Sequence, residues 1–136
     1  MSRSFAIDTN VAIYAFSDDP KNGAAQALLE MGPRISVQLL NEFANASLRK
    51  HRRPWPEIEE MLSIINSLAA DVRAVDSDLH LFGREIAKRY KTGLYDSLII
   101  AAALLDDSDT LYSEDMQHGL IIEDRLTIIN PFLDNP

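Results

Sequence analysis

The chain has 136 residues, of which 46% are hydrophobic and 25% are charged. These values exclude extensive disorder, and the length predicts a single domain, residues 1–136, with a core large enough to fold alone. The absence of cysteine excludes disulfides, thiolate metal sites and a cysteine nucleophile. The net charge of −8 argues against binding nucleic acid by bulk positive charge, but not against an enzyme whose metal ions and local basic residues offset the acids.

No signal peptide is predicted, because the N-terminus has no long apolar segment behind it. The longest apolar run, residues 98–105, is far too short to cross a bilayer. The missing cysteines fit a reducing compartment. We therefore expect a cytoplasmic protein that does not act in a membrane.

Short runs with strand character alternate with helical patterns along the chain. The strand candidates are residues 5–7, 34–35, 72–75, 109–112, 120–122 and 127–129. Apolar residues at helical spacing predict helices over residues 11–16, 20–31, 37–48, 57–69, 78–90 and 94–105. This alternation predicts an α/β fold with a small, mostly parallel sheet and helices on both faces.

Candidate capping residues mark several helix starts. Asp18-Asp19 followed by Pro20 predicts a start at the proline, and Ser36 and Ser77 are candidate caps of later helices.

Three acidic residues occupy equivalent places in this pattern. Asp8 and Asp115 follow strand candidates, and Asp96 lies in the first turn of an almost wholly apolar helix. The carboxyl ends of parallel strands are where open α/β sheets bind ligands. Each acid also has a local alternative as a helix cap, a loop residue or a partner of the helix dipole. Asp96 is the one we expect to be most desolvated, so it needs a cation or a raised pKa.

Glu42 is a fourth candidate, about two turns into the third predicted helix. Its alternative is a solvated helix face that also carries Gln38. Several carboxylates at one site repel one another unless a cation lies between them, and Mg²⁺ or Mn²⁺ accepts all-oxygen ligands. Such a site suits phosphoryl chemistry.

Four motifs in this order resemble those of the PIN-domain ribonucleases and cover almost the full chain. They are Asp8-Thr9-Asn10, Leu39-Leu40-Asn41-Glu42-Phe43, Tyr95-Asp96-Ser97-Leu98-Ile99 and Tyr112-Ser113-Glu114-Asp115-Met116-Gln117-His118-Gly119. The chain is most similar to the VapC-type toxins of bacterial toxin–antitoxin pairs, which are single PIN domains of about this length.

The resemblance implies a PIN-like three-layer sandwich and a metal-dependent endoribonuclease that leaves a 5′-phosphate and a 3′-hydroxyl. It also implies an RNA substrate, a cognate small antitoxin and a homodimer. The four acids Asp8, Glu42, Asp96 and Asp115 would hold one or two Mg²⁺ or Mn²⁺ ions. Asp8 and Asp96 would be direct ligands, and Glu42 and Asp115 would act through water.

Neighbouring polar residues of the motifs have supporting roles by the same resemblance. Thr9 or Asn10, together with Ser113, would orient the acids or a phosphate. Glu114 competes with Asp115 for the fourth position, and we choose Asp115 because the family's acid lies two residues after a Ser or Thr.

A basic cluster, Arg49, Lys50, Arg52 and Arg53, follows the third predicted helix. It could contact RNA phosphates, pair with an acidic segment of a partner, or be the solvated end of a helix. We expect Trp55 to anchor a turn in the core, although stacking on a base is the alternative. His118 is expected to shape the loop of the fourth motif.

Two other classes of function compete with a ribonuclease. A phosphatase on an α/β sheet usually has a second Asp two residues after its nucleophile, where this chain has Asn10. A domain that keeps the carboxylates and only binds a partner is the other alternative.

Overall fold

The structure, a computed structural model, describes residues 4–133. Six strands and six helices occur in this range. In chain order they are β1 (Phe5–Ile7), α1 (Thr9–Ala15), α2 (Asn22–Glu30), β2 (Arg34–Ser36), α3 (Val37–Arg49), α4 (Trp55–Leu68), β3 (Asp71–Arg73), α5 (Ser77–Tyr90), α6 (Leu94–Leu105), β4 (Thr110–Tyr112), β5 (Ile121–Ile122) and β6 (Leu126–Ile129).

The strands form one sheet in the order β3-β2-β1-β4-β6-β5. Every neighbouring pair is parallel except β5 and β6, which are antiparallel. The predicted α/β sandwich with a small, mostly parallel sheet is therefore confirmed. Within residues 4–133, no helix is both long enough and apolar enough to span a membrane.

The register of the central strands decides where the polar motifs meet. Ile7 of β1 pairs with Tyr112 of β4. The next residues, Asp8 and Ser113, therefore leave the sheet side by side at its carboxyl edge.

Helix α6 crosses the middle of the core. Its residues Ser97 to Leu104 are all buried, as its apolar sequence predicted. Helix α5 approaches it closely at Gly83. A Cβ atom at that position would lie 2.7 Å from Cδ2 of Leu98, so a larger residue there would require the Leu98 side chain to shift. This packing fixes the helix that carries Asp96.

Several predicted helix starts are wrong by one or two residues. Helix α2 begins at Asn22 rather than Pro20, because the Asp19 carboxylate accepts a hydrogen bond from Lys21 N at 2.9 Å and closes a turn. Helix α5 is capped by Asp76, not Ser77: the Asp76 side chain accepts from Leu79 N at 2.9 Å.

Ser36 occupies the predicted N-cap position of α3 but makes no capping hydrogen bond. Its hydroxyl is buried and has no hydrogen-bond partner in the described part of the chain.

The prediction that Trp55 anchors a turn in the core is wrong. Trp55 is the first residue of α4, after the N-cap Pro54, and 54% of it is exposed. Helix α4 first contributes a buried side chain at Ile58, so its first turn lies outside the core.

Candidate active site

Asp8 is the most buried acid of the site, with 3% of its surface exposed. Its Oδ1 accepts a hydrogen bond from Thr9 N at 2.7 Å, as expected of an N-cap. Its Oδ2 accepts from Ser113 Oγ at 2.8 Å and from Asn10 Nδ2 at 3.3 Å. Asp8 thus caps α1 and also faces the loop after β4, so the cap is only one of its contacts.

Asn10 links two of the predicted acids. Its Nδ2 donates to Asp8 and also to Asp115 Oδ2 at 3.2 Å. Its Oδ1 accepts from the backbone N–H of Glu114 at 3.2 Å. One amide side chain therefore holds the loop after β4 against the start of α1.

Glu114 and Asp115 point to different partners. Glu114 accepts from the Tyr14 hydroxyl at 2.8 Å and pairs with Lys21 Nζ at 2.6 Å. Asp115 is exposed and is bonded to Asn10. This arrangement favours Asp115 as the acid available to a ligand, since the charge of Glu114 is already balanced by Lys21.

Glu42 is half-buried, so it does not lie on a fully solvated helix face. Its Oε1 accepts from Thr9 Oγ1 at 3.3 Å and its Oε2 from Gln38 Nε2 at 3.0 Å. Gln38 is itself buried. Gln38 was predicted to lie on the solvated face of the helix, and this prediction is wrong. Its position one turn before Glu42 is the signal in the sequence for the hydrogen bond between the two side chains.

Asp96 lies in the first turn of α6 and is half-buried. Within residues 4–133 its side chain makes no hydrogen bond or ion pair. The start of the helix is held instead by Ser97 Oγ, which donates to Gly93 O at 2.7 Å and contacts Thr92 Oγ1 at 2.5 Å. The expectation that Asp96 is the most desolvated acid is wrong. Asp8 ends a central strand, whereas Asp96 lies at the open mouth of a helix.

The acids of the site raise one another's pKa values. Burial raises the pKa of Asp8 to about 6; the hydrogen bonds from Ser113 and Thr9 oppose the rise, and the charges of Asp96 and Glu42 add to it. The pKa of Glu42 is raised by burial and by the charge of Asp96. The pKa of Asp96 is raised by burial and by the charge of Asp115. The four carboxylates therefore belong to one electrostatic cluster.

The donor chemistry of this cluster fits a hard divalent cation. Every donor is a carboxylate oxygen, and a cation would relieve the repulsion among the negative charges. In the part of the chain that the structure describes, no three His, Asp or Glu side chains form a group that could hold a metal directly.

The basic cluster divides in the structure. Arg53 pairs with Glu57 at 2.7 Å and donates to Phe16 O at 3.1 Å, and Arg49 donates to Asn45 Oδ1 at 3.0 Å. Lys50 instead lines a cleft beside the acids, and Arg52 is exposed with a φ of 50°. His118 Nδ1 accepts from Asn130 N at 3.0 Å, so it shapes its loop as predicted.

Residues 5–119 match the PIN domain family. Because this match spans most of the chain, the protein belongs to the PIN domain family. No sequence among the curated proteins matches the chain.

Solved structures of similar fold come from three bacteria. Mycobacterium tuberculosis VapC20, described as a sarcin–ricin loop cleaving toxin, is 20% identical with a TM-score of 0.68, over 82% of this chain and 90% of that one. A toxin–antitoxin complex from Klebsiella pneumoniae is 21% identical with a TM-score of 0.68, over 94% and 97%. VapBC2 from Rickettsia felis, bound to a fragment of its promoter DNA, is 18% identical with a TM-score of 0.63, over 82% and 87%. At these identities the likeness establishes a shared fold.

Proposed function

We propose that this protein is a metal-dependent endoribonuclease that acts in the cytoplasm as the toxin of a type II toxin–antitoxin pair. The observation that carries the proposal is the electrostatic cluster of Asp8, Glu42, Asp96 and Asp115 at the carboxyl edge of the sheet of a PIN domain. The similar folds of the sarcin–ricin loop cleaving toxin VapC20, of the toxin–antitoxin complex from Klebsiella pneumoniae and of VapBC2 support it.

The four acids would hold Mg²⁺ or Mn²⁺, with Asp8 and Asp96 as direct ligands. Glu42 and Asp115 would act through water, which suits Mg²⁺ because this ion commonly keeps several of its waters. When bound, the ion would polarise the scissile phosphate and lower the pKa of a water molecule. Attack of that water on phosphorus, with departure of the 3′-oxygen, would leave a 5′-phosphate and a 3′-hydroxyl.

The uncharged residues of the motifs would fix the orientation of the acids. Ser113, Thr9 and Asn10 each donate a hydrogen bond to at least one of the carboxylates. Each carboxylate oxygen has more than one lone pair, so these bonds leave acceptor capacity for a cation or its waters. They also limit the rotation of the carboxylates, which reduces the entropy lost when a ligand binds.

The partner would be a small antitoxin that covers the acidic cluster. A basic side chain of the antitoxin could replace the charge of the metal there, because an opposite charge relieves the repulsion among the acids. Expression of the protein should arrest growth, and co-expression of the neighbouring small gene should relieve the arrest. Arrest that persists with every such gene would count against this partner.

The direct test of the activity is RNA cleavage by the purified protein. We expect cleavage with Mn²⁺ and none with EDTA, with fragments that carry 5′-phosphates. Protein that binds an antitoxin but cleaves no RNA under either condition would be a partner-binding domain and not an enzyme.

A further inference from the structure

A cleft of about 440 Å³ lies between α1 and α3 and opens beside the acidic cluster. This volume lies within the range of about 300–1,000 Å³ that is usual for small-ligand pockets. Here it is called the α1–α3 cleft. Its lining includes the acids Glu42, Glu114 and Asp115 and the basic residues Lys50 and His51.

The wall formed by α3 has an acidic end and a basic end. Glu42, Ala46 and Lys50 line it at intervals of four residues, which places them on one face of the helix. Lys50 therefore lies ~12 Å along the helix axis from Glu42, at a rise of ~1.5 Å per residue. The small side chain of Ala46 between them leaves the wall open.

Lys50 is a free cation in this cleft. Its side chain makes no ion pair or hydrogen bond with any residue from 4 to 133. Arg49, at the same end of α3, is bonded to Asn45 and does not line the cleft. Positive charge is favoured at the C-terminus of a helix, and either Arg49 or Lys50 supplies it there. This preference therefore does not explain why Lys50 lines the cleft.

An ammonium group on a flexible stem is a common ligand for phosphate. We propose that Lys50 binds a backbone phosphate of the RNA strand whose scissile phosphate lies at the acidic end of the α1–α3 cleft. Lys50 is then a substrate-binding residue: it holds the strand along α3, with the scissile phosphate at the acidic end of the cleft. This inference rests on the proposed ribonuclease function and narrows the predicted RNA contacts of the basic cluster to one side chain.

The test compares Lys50→Met with Arg49→Met, which removes the same charge from the same helix end outside the cleft. KM and kcat are measured with Mn²⁺ on a single-stranded RNA oligonucleotide that the wild type cleaves, over a series of salt concentrations. Lys50→Met should raise KM about 3- to 10-fold at low salt with little change in kcat, as expected for the loss of one solvent-exposed hydrogen bond. The magnitude of the slope of log affinity against log salt should fall by about 0.7. Arg49→Met should change neither quantity.

A charge-preserving variant guards against an effect of Lys50 on folding. Lys50→Arg should keep the wild-type KM and salt slope. If Lys50→Arg is as impaired as Lys50→Met, the positive charge is not what matters, and the inference is overturned. Equal effects of Lys50→Met and Arg49→Met would overturn it too. So would a Lys50→Met variant that loses only antitoxin binding, since Lys50 would then belong to the protein interface. If the wild type cleaves no RNA, the proposed function fails along with the inference.

Discussion

Asp8 shows how burial and hydrogen bonding compete at a single carboxylate. Three donors favour its ionised form, yet desolvation at the end of β1 outweighs them and leaves its pKa at about 6. A metal ion would favour the ionised form further. The side chain is thus held by three donors, while no cationic side chain within residues 4–133 forms an ion pair with it.

The metal-free protein should lose stability as pH rises through the window from 3.8 to about 6. The pKa of Asp8 is raised in the folded state, so between these values the folded protein retains a proton that the unfolded chain has released. The free energy of unfolding should therefore fall by up to about 3 kcal/mol from this group, at about 1.4 kcal/mol for each pKa unit. Denaturant titrations in EDTA across the window would measure it.

Asp8→Asn is the control for this titration, because it removes the ionisable group. The variant should show a flatter pH dependence than the wild type, while groups with lowered pKa values such as Glu123 act equally in both proteins. Parallel curves for the two proteins would show that Asp8 does not titrate as the structure implies.

The starts of α3 and α5 differ in how they are capped. Asp76 satisfies a backbone N–H of α5, whereas the Ser36 hydroxyl at the start of α3 is buried without a partner among residues 4–133. A capping hydrogen bond stabilises the protein, whereas a buried hydroxyl group without a hydrogen-bond partner destabilises it.

Asp76→Ala should therefore destabilise the protein by about 1 kcal/mol, whereas Ser36→Ala should be neutral or stabilising. Chemical denaturation of both variants beside the wild type would measure the difference. A loss at Ser36 as large as that at Asp76 would mean that the serine hydroxyl has a bonding role at the start of α3.

The elements that could be predicted from the sequence are those with a strong local signal. Strand β1 and helix α6 were predicted with their observed bounds, because a run of apolar residues and its flanking polar residues define each. Asp76 and Ser77 are adjacent residues of similar capping ability, so only tertiary geometry chooses between them. The half-burial of Glu42 depends on α1 lying against α3, a long-range contact with no local signal.

The candidate site residues were predicted from acids at the ends of strands and helices and from the resemblance of the four motifs to those of the PIN-domain ribonucleases. The strands were predicted but their order was not: β1 pairs with β4, and this register places Asp8 beside the loop that carries Asp115. The engagement of Glu114 by Tyr14 and Lys21 was missed, because the partners lie about 100 residues away in the chain.

Several large apolar side chains are exposed on α5 and near the two ends of α6. They include Leu81 on α5 and Leu94, Tyr95 and Leu105 on α6. The net charge of −8 opposes random association, so a specific apolar interface is the expected way to cover them.

We therefore expect a homodimer in solution, with twice the 15.2 kDa mass of one chain. Sedimentation at micromolar concentration would measure the mass, and Leu81→Lys should shift the protein toward the monomer. A wild type that sediments as a monomer would contradict this expectation.

The variant Asp96→Asn tests whether the carboxylates form one metal-dependent catalytic site. The Asp96 side chain makes no hydrogen bond or ion pair with residues 4–133, so asparagine loses no such contact and removes one of the repelling charges. RNA cleavage and thermal melts of both proteins, with Mn²⁺ and with EDTA, are the measurement. The variant should be inactive but at least as stable as the wild type in EDTA. Mn²⁺ should stabilise the wild type far more than the variant, by about 2.7 kcal/mol at a hundredfold excess over Kd. A variant that still cleaves RNA, or one that is inactive because it melts well below the wild type in EDTA, would contradict such a site.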